Sequence, residues 1–113
     1  MIEQGDLLLV PFPFSDQSGK KVRPVIVISN EKFNENSEDV LVVGVTSSSS
    51  RDAYTINLAN KDLDGGNLLT PCYVKIENIL KIDKELVIKK IGKINKSKLK
   101  EITKKISEIT QIL

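Results

Sequence analysis

The sequence has no histidine and a single cysteine, and only 4% of its 113 residues are aromatic. Each scarcity excludes some chemistry. Without histidine the commonest general acid–base, the usual zinc ligand and any histidine-based triad are gone. Cys72 alone cannot form an intramolecular disulfide, and no metal-ligand spacing is present. A catalytic Cys72 would also lack an activating imidazole, so it reads as a small buried hydrophobe in an alternating segment. So few aromatics argue against recognition of a nucleic acid by extensive base stacking. Residues 1–4 lack the basic region and apolar stretch of a targeting peptide, and no run is of membrane length. A cytoplasmic location is the expectation. No cofactor or metal is expected, and any enzymatic chemistry must run on Arg, Lys, Ser, Thr, Asp, Glu or Tyr.

What is present suits one ordinary globular domain over residues 1–113, with 40% hydrophobic and 28% charged residues. The net charge is only +2, but it is unevenly spread. Residues 1–64 hold six Lys/Arg against ten Asp/Glu, whereas residues 75–105 hold eleven Lys against four acids. The basic half suits nucleic acid or an acidic peptide. On charge alone, a solubilising lysine face explains it better.

Short runs of branched apolar residues at 7–10, 25–28 and 40–45 read as buried strands. Residues 53–58 and 72–77 alternate, with Tyr54, Ile56, Leu58, Cys72, Val74 and Ile76 directed inward. Residues 86–94 suggest a further strand, with Gly92 at a bend or bulge. Residues 31–39 read as a polar connection holding one helical turn, anchored by Phe33, and residues 60–67 as a loop. Leu99, Ile102, Ile106, Ile109 and Leu113 recur at helical spacing, with Asn95 or Ser97 as the cap. Many short strands followed by one helix predict a small closed or half-open β-barrel.

Residues 5–30, GDLLLVPFPFSDQSGKKVRPVIVISN, hold the densest pattern. Two apolar strands bracket a polar loop that ends in Arg23-Pro24. Pro24 suits the first residue of a strand and biases Arg23 toward an extended backbone. A guanidinium beside a Ser/Gly/Lys loop is well placed to hold a phosphate through two oxygens.

This block, with the Val45-Thr46-Ser47 segment, resembles the opening of the MazF/PemK family, the toxin halves of bacterial toxin–antitoxin pairs. The resemblance extends over nearly the whole chain. It implies a mainly β fold, an SH3-like barrel of the CcdB/PemK type with a C-terminal helix. It also implies a metal-independent endoribonuclease that cleaves single-stranded mRNA selectively, leaving a 2′,3′-cyclic phosphate and a 5′-hydroxyl. A homodimer and a cognate antitoxin are the implied partners.

Arg23 and Thr46 match the family's catalytic pair. Glu77 and Asp16 are the candidates for proton transfer. Gln17, Ser18, Gly19, Lys20, Ser47 and Asn78 are the candidates for RNA binding. At residues 77–78 the family often carries Asp-Gln where this chain has Glu-Asn, which bears on specificity. Two other readings share the fold. One is a CcdB-like toxin that binds gyrase through its terminal helix, although no Trp-bearing tip is evident here. The other is a non-catalytic nucleic-acid-binding barrel.

Overall fold

The computed structural model describes residues 1–12, 21–48 and 53–113. Seven strands, β1 (Asp6–Phe12), β2 (Lys21–Val27), β3 (Asp39–Thr46), β4 (Thr55–Leu58), β5 (Leu63–Gly66), β6 (Cys72–Asp83) and β7 (Lys89–Ile94), form one sheet. Its order is β4-β6-β3-β2-β1-β7-β5, and every pairing is antiparallel. Among the described residues two α-helices, α1 (Glu31–Glu35) and α2 (Lys96–Ile109), accompany the sheet. Among the described residues no helix is long and apolar enough to cross a membrane.

The sheet has to curl. β4 and β5 lie at its opposite edges, yet only the 3-10 turn region between Leu58 and Leu63 joins them. A flat seven-strand sheet would be about 29 Å wide at about 4.8 Å per strand. Five backbone steps reach at most about 17 Å. The result is a half-barrel with α2 packed on its inner face.

Both faces of the central strands are buried, which explains why residues 7–10 and 25–28 are continuously apolar rather than alternating. Leu7, Ile26, Val43, Val45, Ile56, Val74 and Ile76 form the inner cluster, with Leu99, Ile102, Ile106 and Ile109 of α2 against it. Leu8, Val10, Val25, Val27, Val40, Val42 and Ile82 form the outer one. Asn95 caps α2, accepting the Lys98 N–H at 2.8 Å, so Ser97 is not the cap. Leu113 lies beyond the helix and is fully exposed.

Several local expectations change. Residues 60–67 contain the 3-10 turn and β5 rather than only a loop. Gly66 makes that edge strand fit. It has φ +87°, and a Cβ there would stand 2.2 Å from the Ile91 carbonyl oxygen. Phe33 is not the anchor of α1. It is 39% exposed, while Asn34 is buried and donates from Nδ2 to the Ser29 carbonyl at 3.0 Å. That bond is what makes burial of the amide tolerable. Leu86 belongs to a 3-10 turn before β7.

β6 runs six residues past the alternating segment because a bulge interrupts its period. Val43 pairs with Ile79 and Gly44 with Lys75, leaving Ile76, Glu77 and Asn78 outside the ladder with β3. An odd insertion reverses the inward parity. Val74 and Ile76 accordingly join the inner cluster, whereas Ile82 joins the outer one.

Candidate active site

Pro24 is the fourth residue of β2, not its first, and its missing N–H interrupts the pairing of β2 with β3. The Gly5 N–H donates to the Val27 carbonyl at 2.8 Å, and the Ile28 N–H donates to the Leu41 carbonyl at 2.9 Å. Backbone direction alternates along a strand, so odd residues of β2 face β1 and even residues face β3. Pro24 therefore sits where an N–H should reach β3, and the β2–β3 ladder ends at Val25↔Gly44. Arg23 stays tied through its backbone to β1, opposite Val10.

Register alone aligns the site. Leu8, Val25, Gly44, Lys75 and Thr55 are successive partners across five strands. Directly opposed residues share a face, and this row lies on the outer face, away from α2. Arg23, two residues before Val25, and Thr46, two residues after Gly44, keep the same face as those partners just past the end of the paired β2–β3 ladder. Thr46 in turn opposes Tyr73, and Tyr73 opposes Asn57. Gly44, itself buried, contributes no side chain to the first row. Two parallel rows thus bring Arg23, Thr46 and Lys75 onto one patch.

Thr46 is half-buried, and its Oγ1 accepts the Ser48 N–H at 3.1 Å. This fixes the oxygen and leaves the hydroxyl proton to donate outward. Ser47, one residue on, is exposed. Lys75 is only 16% exposed, donates to Thr55 Oγ1 at 3.4 Å and pairs with Glu77 Oε2 at 3.3 Å. Glu77 is 44% exposed, and it and Asn78 lie in the β6 bulge. Asp16, Gln17, Ser18, Gly19 and Lys20 lie outside the described residues.

Lys75 is hidden in the sequence. There it reads as an outward surface partner of Glu77, whereas the structure half-buries it in the row beside Arg23 and Thr46. The available signal is a lysine between two inward apolar residues, which holds its cation close to the sheet surface.

Cys72 is buried, with Sγ 3.4 Å from the Thr70 carbonyl, and burial pushes its thiol above the ordinary value. A raised value favours the neutral thiol near pH 8. Iodoacetamide at pH 8 is expected to label the folded protein far more slowly than the urea-unfolded chain. Equal labelling rates would contradict this environment.

Residues 3–110 match the model of the family described as PemK-like, MazF-like toxin of type II toxin-antitoxin system. The chain belongs to this family. Comparison with curated proteins gives no match. Among solved structures, this MazF/PemK family chain is similar to an endoribonuclease in complex with its cognate antitoxin from a mycobacterial species. That match has a TM-score of 0.81 at 15% identity, covering 100% of this chain and 98% of the other. It is also similar to MazF from Deinococcus radiodurans, with a TM-score of 0.78, 17% identity and coverage of 98% and 97%. The Mycobacterium tuberculosis toxin MazF-mt6 aligns with a TM-score of 0.76, 18% identity and coverage of 96% and 98%. At these identities the likeness is one of fold, and it bears out the barrel-with-helix architecture expected from the sequence.

Proposed function

We propose that this chain is an endoribonuclease that cuts single-stranded RNA without a metal ion, selectively by sequence. The alignment of Arg23 with Thr46 across β2 and β3, beside Lys75, carries the reading. RNA supplies its own nucleophile, the 2′-hydroxyl, so the protein needs to hold the phosphate in line and stabilise the charge that develops on it. The O2′–P bond forms and the P–O5′ bond breaks, giving a 2′,3′-cyclic phosphate and a 5′-hydroxyl.

In this scheme Arg23 grips two non-bridging oxygens, and Thr46 donates its hydroxyl proton to one of them. Glu77 receives the 2′-proton. A guanidinium does not release its proton at ordinary pH, so Arg23 acts as fixed charge. Lys75, 3.3 Å from Glu77, returns a proton to the departing 5′-oxygen. Ser47, Asn78 and the loop from Gln17 to Lys20 contact the flanking RNA. A homodimer is the proposed assembly, and an acidic, partly disordered antitoxin segment the proposed inhibitor.

Replacing Thr46 with Val keeps a β-branched residue but removes the donor. A hydrogen bond to a charged group contributes about 1.5–3 kcal/mol, so cleavage should slow by roughly ten- to a hundredfold. Thr46→Ser should recover most of the rate. Single-turnover cleavage of an end-labelled RNA measures all three, and identical rates would overturn the role of Thr46.

A further inference from the structure

The row holding Arg23 and Thr46 does not stop at the catalytic patch. It continues through Tyr73 to Asn57 at the edge strand β4, and both residues line a depression of about 570 Å³. Resting on the ribonuclease reading, we infer that Tyr73 and Asn57, at the outer rim of this depression, form a nucleobase subsite that sets sequence selectivity beside the cut.

The lining of the depression is largely polar, with Lys61, Asp62, Lys98 and Glu101 along it and Tyr73 and Asn57 at its outer rim. Leu58 and Cys72 point the other way, into the inner cluster, so the depression wraps the edge of β4 and meets the face of Arg23 and Thr46 only at Tyr73 and Asn57. Tyr73, half-buried, supplies an aromatic surface for a single base to stack on. On the far wall Lys98 is 13% exposed and crosses from α2 to β4. Its Nζ donates to the Asn57 carbonyl at 3.0 Å and pairs with Glu101 at 3.0 Å. That contact occupies the backbone edge at Asn57 and fixes the wall.

The side-chain amide of Asn57 is left to the solvent side. Among the described residues, neither that amide nor the Tyr73 hydroxyl has a hydrogen-bond partner. An amide offers one acceptor and two donors, enough to read a base edge in two bonds. Successive strands lie about 4.8 Å apart, which puts Tyr73 one step and Asn57 two steps from Thr46. A base whose phosphate is held by Arg23 and Thr46, or its immediate neighbour, falls within this span.

Reading is thereby divided between elements. The phosphate is gripped at β2 and β3, and the base is inspected at β6 and β4. The scarcity of aromatics fits one stacked base rather than a stacked series.

The test maps the fragment ends that purified wild-type, Asn57→Ala, Asn57→Asp and Tyr73→Phe proteins produce from a long RNA of mixed sequence. Wild-type protein should show a base preference at a position flanking the cut. In Asn57→Ala that preference should fall by about tenfold at that position alone. In Asn57→Asp, which loses the two donors, the preferred base should change. Tyr73→Phe keeps the ring and should keep the preference. Cutting by both Asn57 variants with the wild-type preference at every position would overturn the subsite. RNA left intact by the wild-type protein would instead overturn the ribonuclease reading, and the subsite with it.

Discussion

Arg23→Ala should lower the single-turnover rate of RNA cleavage by about a hundred- to a thousandfold. That is the range seen when one pre-placed donor to a developing oxyanion is removed. The side chain is half-buried near the start of β2, beyond the last paired residues of the β2–β3 ladder. Its loss should therefore cost the fold only about 1 kcal/mol, and circular dichroism should show the strands intact. Arg23→Lys separates geometry from charge. Lysine restores the cation but not the two-pronged fork, so it should recover only part of the lost rate. Undiminished cleavage by a folded Arg23→Ala protein would remove Arg23 from the site.

Ile102→Ala should have the largest effect on stability. Ile102 is fully buried in the middle of α2, flanked by Leu99 and Ile106 and seated in the inner cluster. Truncation removes buried methyl groups and leaves a cavity, at a cost of about 2–5 kcal/mol. Small domains hold about 5–15 kcal/mol in total, so a large share of the stability is at stake. Ile112→Ala is the control. Ile112 is 97% exposed and lies past the end of α2, so its truncation should stay within about 0.5 kcal/mol. Urea denaturation followed by circular dichroism measures both. Equal midpoints for the two variants would contradict the packing of α2 on the sheet. The fraction of Ile102→Ala that remains folded should still cut RNA, because α2 covers the face opposite the Arg23–Thr46 row.

The fold is legible wherever the apolar pattern is strong. Leu7, Val25 and Val43 lie in runs that only doubly buried strands require, and Leu99, Ile102 and Ile106 fall on one helical stripe. It is illegible where tertiary pairing overrides local signal. Residues 63–66 look like a turn, yet β7 recruits them as an edge strand, with Gly66 admitting a close approach that a side chain would block. In the sequence β6 stops near Glu77 because the bulge reverses its parity, and only the pairing with β3 shows that it continues. Burial of Asn34 in place of Phe33 depends on a bond to the Ser29 carbonyl that no periodicity contains.

The site is legible in part. The Arg-Pro pair points to Arg23, and a hydroxyl ending a buried strand points to Thr46. That these two fall on one transverse row depends on register, which a linear sequence does not display. Lys75, Tyr73 and Asn57 escape sequence reasoning for the same reason, since each looks ordinary until the strands are set side by side.

The most direct test of the ribonuclease reading is to incubate the purified protein with a long single-stranded RNA in EDTA and map fragment ends by mass spectrometry. Arg23→Ala protein, prepared identically, controls for contaminating nucleases. The expected result is a set of discrete cuts at a recurring short sequence, bearing 2′,3′-cyclic phosphate and 5′-hydroxyl ends, and absent with Arg23→Ala. RNA left intact by the wild-type protein, or cut equally by both proteins, would contradict that reading.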